Sequence, residues 1–207
     1  MTLYDFELDE NCYKVRLLLS ALGLAHEKIT VDMHPGGEER SAALLALNPT
    51  GGLPILVADG VALHGAEAIL LALAHRHDAG RTWLPADPSR FGQVAMWLHF
   101  AAVDLAHAVT ARRNALFDTP CDIGDVTRKA RHALRILDDH MTDRAFDGAA
   151  WIVGEQPSVA EFALFPSVAL SRDYGVEHEA YPALRRWMRK VRGLPGFIAM
   201  PGIPSYH

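Results

Sequence analysis

Two cysteines in 207 residues, Cys12 and Cys121, are too few for a disulfide framework, and they form no C-x-x-C pair. That usage suits a reducing compartment, so a cytoplasmic location is expected. Positive charge is not in excess either. Twenty basic against 25 acidic residues give a formal charge of −5, which excludes the overall cationic field that nucleic acid requires. No apolar run reaches the roughly 18 residues needed to span a bilayer, and the opening MTLYDFELDEN lacks the basic and apolar regions of a secretory leader. Neither a membrane nor a nucleic acid is an expected partner. Histidines are plentiful, yet His75 and His77 stand two apart, on different faces of a helix, so no metal is expected. Internal repeats and low-complexity tracts are also missing.

Half of the residues are hydrophobic, enough to bury a substantial core. Thr2 to Phe6 reads as a strand, and Val15, Leu18, Leu19 and Leu22 form a helical stripe closed by Gly23. A strand at 27–31, a Pro35-Gly36-Gly37 turn and a helix ending near Leu47 follow. The next 26 residues, ALNPTGGLPILVADGVALHGAEAILL, carry the most information. Asn48-Pro49 ends a helix, because the residue before proline is pushed out of the α region. Leu53-Pro54 opens a strand at a place where proline is tolerable and a cis bond is expected. Asp59-Gly60 is a hairpin signal, and a helix with Ala66, Ile69, Leu70 and Leu73 on one stripe begins after Gly65. The order is βαβαββα, a thioredoxin-like α/β unit over 1–77.

After His77 a turn-rich segment, 78–88, reads as a linker, and only helical patterns follow over 89–207. Ser89 is expected to cap a long helix running to Phe117, and Ala130, Ala133, Leu134, Leu137 and Met141 mark another. Ser158 and Glu161 form a capping box before the apolar VAEFALFPSVAL, expected at the centre of an all-α domain. The last helix sets Arg185, Arg186, Arg189, Lys190 and Arg192 around Leu184, Trp187, Met188 and Val191. Those cations form either a solvated face near a helix C-terminus or a docking face for an acidic protein partner or a polyanion.

The N-P-x-G-x-L-P loop, the hairpin and the acidic helix start in this order resemble the glutathione transferase superfamily. The DENCYKV segment after the first strand and the GEQPSVAE capping segment extend that resemblance over the whole chain. It implies the two-domain glutathione transferase fold, glutathione as co-substrate and a homodimer. It also implies that Leu53, preceding Pro54, pairs with the cysteinyl unit, and that the helix start at Glu67 and Ala68 receives the γ-glutamyl end. The family's hydroxyl or thiol donor falls at Asp9, which when ionised cannot donate and would oppose a nearby thiolate. Asn11 remains as a donor. Cys12, in the first helical turn, is expected to gain some thiolate character from the helix dipole, which leaves a redox role open beside that of an inert core thiol. Gly52 and Ala68 stand where the family usually has a long polar residue and a serine. His34 or Arg40 is a candidate to supply the missing cation.

A second-substrate site is expected between Phe6-Glu7-Leu8 and one face of the long helix, bearing Trp97, Ala101, Asp104 and His107. The spacing of Asp104 and His107 permits an acid/base pair or a structural ion pair. The expected activity is addition of the glutathione thiol to a small hydrophobic electrophile. The alternative is a binding or scaffold protein on the same fold, with weak or lost glutathione chemistry.

Overall fold

The computed structural model describes residues 1–203, so the last four residues of the expected helical domain lie outside it. β1 (Thr2–Asp5), α1 (Glu10–Ala21), β2 (Glu27–Thr30), α2 (Ala42–Leu47), β3 (Ile55–Ala58), β4 (Val61–His64) and α3 (Ala66–His77) follow the order read from the sequence. The sheet runs β2-β1-β3-β4, with β1 and β2 parallel across the α1 crossover and the other pairs antiparallel. Asp59 and Gly60 both take positive φ, 50° and 76°, as a two-residue hairpin of this hand demands. Leu3 and Asp5 of β1 point to one face and are buried. Leu3 joins the main core there, whereas Tyr4 packs on the opposite face against a smaller cluster of Cys12, Val31, Leu44, Leu53 and Ile55.

The second half contains α4 (Pro88–Val103), α5 (Ala106–Phe117), α6 (Ile123–Phe146), α7 (Val159–Ala169) and α8 (Pro182–Arg192). Two expectations change here. The cap of α4 is Asp87, whose Oδ1 accepts from Arg90 N–H at 2.8 Å, because Pro88 has the fixed φ suited to the first helical position. Ser89 is already inside the helix. The long helix also turns at Asp104 and Leu105, so its outer part is a separate α5. The run 88–117 is long and apolar enough to cross a bilayer by length and composition. Here its stripe of Val94, Trp97, Leu98 and Ala101 is buried, with α4 packed on α7.

Helix α7 is buried at every position and carries the capping box. The Glu161 carboxyl group accepts from Ser158 N–H at 2.6 Å and from Ile152 N–H at 2.8 Å, so one buried side chain closes both the helix start and the preceding loop. In α8, Leu184, Trp187, Met188 and Val191 face the core, and Arg186, Arg189 and Lys190 are exposed. Between the halves, Asp78 accepts from the N–H groups of Thr82, Trp83 and Leu84 and folds the connection onto the core. We propose that the boundary between two domains lies in this segment, 78–88. Both halves nevertheless contribute to one apolar cluster, which includes Leu3 and Leu18 as well as Leu164 and Leu184.

A polar contact crosses that joint. Ser167 of α7 donates to Glu10 Oε1 at 2.8 Å, while the buried Glu10 Oε2 has no partner among the described residues. Burial raises the Glu10 carboxyl above its ordinary 4.5, against the opposing influence of Lys14 and Arg112. With the folded value above the unfolded one, the native state holds an extra proton, and stability falls as pH rises from about 4.5 through the folded value. We therefore expect Glu10→Gln to flatten this part of the pH–stability curve and to lose nothing at neutral pH. Urea unfolding of both proteins between pH 4 and 8 checks this, and parallel curves would contradict it.

Candidate functional site

The connection between β1 and α1, residues 6–9, is held from two sides by arginine. From α1, Arg16 reaches back to the Asp5 carboxylate at 2.5 Å and donates to the carbonyls of Phe6 at 3.3 Å and Glu7 at 2.9 Å. From α5, Arg112 donates to Leu8 O at 2.6 Å and to Asp173 Oδ2 at 2.7 Å. Its neighbour Arg113 pairs with Asp9 Oδ2 at 2.6 Å. The other Asp9 oxygen caps α1, accepting from Cys12 N–H at 2.9 Å. Asp9 is therefore not a bare charge beside a ligand, as the sequence suggested. Both of its oxygens are engaged, and its side chain is 1% exposed against 34% for Arg113, so the guanidinium is the open end of the pair.

Cys12 also departs from expectation. Its side chain is completely buried, and its sulfur accepts from Phe6 N–H at 3.5 Å. Burial, then the negative charges of Asp9 and Asp5, push the thiol well above its ordinary value of 9.0. Desolvation outweighs the helix dipole, which leaves Cys12 an inert core thiol. Asn11, half-buried on the first turn of α1, has no side-chain hydrogen bond among the described residues.

The Leu53–Pro54 peptide is cis, as the sequence indicated. Leu53 has neither its N–H nor its C=O hydrogen-bonded among the described residues, since the β3 ladder begins at Ile55. The nearby turn is fixed by Asn48, which donates to Gly52 O at 2.8 Å. Helix α3 is preceded by Gly65, φ 82°, which offers no capping side chain, so the N–H groups of its first turn, including Glu67 and the exposed Ala68, have no acceptor among the described residues. Glu67 itself pairs with Lys14 at 2.8 Å; Lys14 is 1% exposed and Glu67 18%.

A cavity of about 270 Å³ lies between the β2–α2 connection and α5, lined by His34, Arg40, Gly51, Gly52, Arg113 and Phe117 among others. His34 is exposed, with its ring 4.9 Å from that of Phe117, and Phe6 lies 5.8 Å from Phe117 on another side. Phe117 and Met33 supply apolar lining to this cavity, with Phe6 packed against Phe117, whereas Trp97 and Ala101 do not line it. Those two residues face inward: Trp97 is 6% exposed and packs on His140 and Phe100, and Ala101 is 1% exposed. The turn between α4 and α5 also separates Asp104, which is exposed, from His107, and no hydrogen bond or ion pair joins them among the described residues. Glu7 points outward to Lys28 at 3.1 Å, and Leu8 contributes its carbonyl to Arg112. A larger recess of about 520 Å³ between the start of α4 and the end of α6 shares no residue with this region.

Sequence reasoning missed Arg113 and Phe117. The available signal was the Arg112-Arg113 pair inside a helix otherwise poor in charge, which had been given no task.

Two family models match: the glutathione S-transferase N-terminal domain over residues 11–76 and the glutathione S-transferase C-terminal domain over 90–190. Maleylacetoacetate isomerase of Pseudomonas aeruginosa is 28% identical over 204 residues, covering 95% of this chain and 93% of that protein. The crystal structure of a glutathione S-transferase from Pseudomonas fluorescens is 28% identical, with a TM-score of 0.85 over 97% of this chain and 98% of that one. Ure2p in complex with glutathione is 22% identical, with a TM-score of 0.85 over 94% and 95%, a likeness of fold.

The Lys14–Glu67 pair gives Glu67 a structural task beside any ligand. Glu67→Ala is expected to lower folding stability by about 3–5 kcal/mol, the range for leaving a buried charge unpaired. Glu67→Gln, which keeps an acceptor for Lys14, is expected to lose less. Denaturant unfolding measures both, and a loss below about 1 kcal/mol for the alanine variant would put the pair in the class of exposed ion pairs.

Proposed function

The chain belongs to the glutathione S-transferase superfamily, and from that premise we propose that it binds glutathione and adds its thiol to a small hydrophobic electrophile. One observation carries this reading: the backbone of Leu53, beside the cis Pro54, has no hydrogen-bond partner among the described residues, and the start of α3 without a capping side chain agrees with it. The peptide's cysteinyl unit pairs with the N–H and C=O of Leu53 beside Pro54. Its γ-glutamyl carboxylate sits on the open N–H groups of α3, at Glu67 and Ala68, where the dipole favours a negative charge. Its other end extends past Gly52 towards His34 and Arg40. Ure2p supports the choice of ligand, because a protein of this fold holds glutathione.

In the reaction the thiol loses its proton to solvent, and the thiolate attacks the electrophilic carbon. A carbon–sulfur bond forms while a leaving group departs with its electron pair or the adjacent carbon gains a proton. Asn11, whose amide has no hydrogen-bond partner among the described residues, donates to the sulfur. Binding both reactants side by side and holding the thiolate supply most of the rate. Phe6, Phe117 and Met33 line the electrophile's side of the cleft. The competing reading, a binding or scaffold protein, draws on Asp9, Gly52 and Ala68, which remove side-chain contacts common in the family.

The titration that separates the two is calorimetric. Heat of binding at millimolar glutathione is expected, and its absence favours the scaffold. Asn11→Ala is expected to leave binding nearly intact and to reduce kcat with a general aryl halide by up to about 100-fold, as for other lost thiolate or oxyanion donors. A rise in KM with unchanged kcat would assign Asn11 to ground-state binding instead.

We also propose a homodimer working in the cytoplasm. Val61 on β4 and Met96 and Val103 on α4 are 59%, 56% and 50% exposed, apolar side chains that a second copy would cover. The location is consistent with two unpaired cysteines. Sedimentation should give twice the chain mass, and Met96→Lys should shift it towards the monomer; an unaltered monomer at micromolar concentration would refute the dimer.

A further inference from the structure

Position 9 faces the reacting sulfur in the resemblance described above, but the Asp9 carboxylate cannot reach a ligand. It is closed off behind Arg113, with one oxygen on the cap of α1 and the other on the guanidinium. Arg113, unlike Asp9, lines the 270 Å³ cavity. Its Nε is buried and has no hydrogen-bond partner among the described residues. The contact to Asp9 fixes the guanidinium plane without using all of its donors.

We propose that Arg113, carried on α5 and aimed by Asp9, is the cation that faces the thiolate of bound glutathione and replaces the hydroxyl donor absent at position 9. This inference rests on the glutathione reading above and adds a catalytic residue to it. The thiol proton leaves to water, the sulfur keeps the electron pair, and Arg113 stays protonated throughout. An opposite charge within about 4–6 Å lowers a titrating group by roughly 1–3 units. Asp9 works against this, but it lies deeper than the guanidinium. The other charged or titratable groups around Arg113 are Glu10 and Cys12 on α1, both fully buried, and His34, Glu39 and Arg40 on the β2–α2 side. Glu39 is the one carboxylate among the cavity-lining residues, which also include Arg40, Arg113 and His34.

The test titrates the thiol of glutathione in the binary complex by its ultraviolet thiolate absorbance and follows the pH dependence of kcat/KM with an aryl halide. Arg113→Met should raise the apparent thiol pKa by about 1–3 units and cut the neutral-pH rate tenfold or more. Arg113→Lys should keep most of the lowering. Since Arg113→Met strands a buried carboxylate, the decisive protein is the double variant Asp9→Asn with Arg113→Met. It removes both charges and retains an acceptor for the helix cap. A raised thiol pKa in the double variant supports the proposal. An unchanged or lowered value, with glutathione still bound by calorimetry, overturns it and returns Asp9 to the role of an opposing charge. If the unaltered chain gives no heat with glutathione, the parent reading falls first and this inference with it.

Discussion

The clamp of arginines on residues 6–9 is the constraint from which the geometry of the cleft follows. Three guanidiniums, from Arg16, Arg112 and Arg113, bind three consecutive carbonyls and the carboxylates of Asp5 and Asp9. Two of these cations come from α5, more than a hundred residues away in the chain. A loop of four residues would otherwise be the softest part of the α/β unit. Here it is held from α5 of the helical half as well as from α1. The shared apolar core and the Glu10–Ser167 contact also join the two halves.

Burial decides the electrostatics of this region more than sequence position does. Cys12 occupies the helix turn where dipoles favour a thiolate, yet complete desolvation and two nearby carboxylates reverse the effect. Asp5 is held above its ordinary carboxylate range by burial although Arg16 and Lys28 pull the other way. The Asp9 carboxylate meets Arg113 on one side and the Cys12 N–H on the other. The result is a carboxylate that organises its surroundings without meeting the cleft.

The fold was largely legible in the sequence because its signals are local. Period-2 and period-3.6 patterns, Asp59-Gly60, Leu53-Pro54 and the Ser158–Glu161 box each act within a few residues. The cap of α4 was misread by two residues, although Pro88 offered the correct rule. The candidate site was legible only in its local part, the Leu53 backbone and the α3 start. Trp97 and Ala101 lie on an apolar stripe that periodicity alone cannot assign to a cleft or to a core, and contact with α7 decides for the core. The Asp9–Arg113 pair joins residues 104 apart, and no local pattern predicts such a partner.

The starts of the α-helices show where this chain departs from its own habits. Asp9, Ser41, Asp87, Asp122 and Ser158 cap α1, α2, α4, α6 and α7. The start of α8 is closed from another helix, with Asp138 Oδ1 accepting from Ala183 and Leu184 N–H at 2.9 and 3.0 Å. Helix α5 continues almost directly from α4. Among the described residues α3 alone begins at a glycine in a left-handed conformation with nothing accepting from its first turn. Replacing a good capping side chain typically costs about 1 kcal/mol, and a sequence that caps its other helices so consistently does not lack the means. An open helix start is a local conflict of the kind natural proteins keep where a ligand completes the structure. The acceptor such a helix start lacks has the chemistry of a carboxylate, so the feature that weakens α3 is also the one on which the proposed binding of the γ-glutamyl end depends.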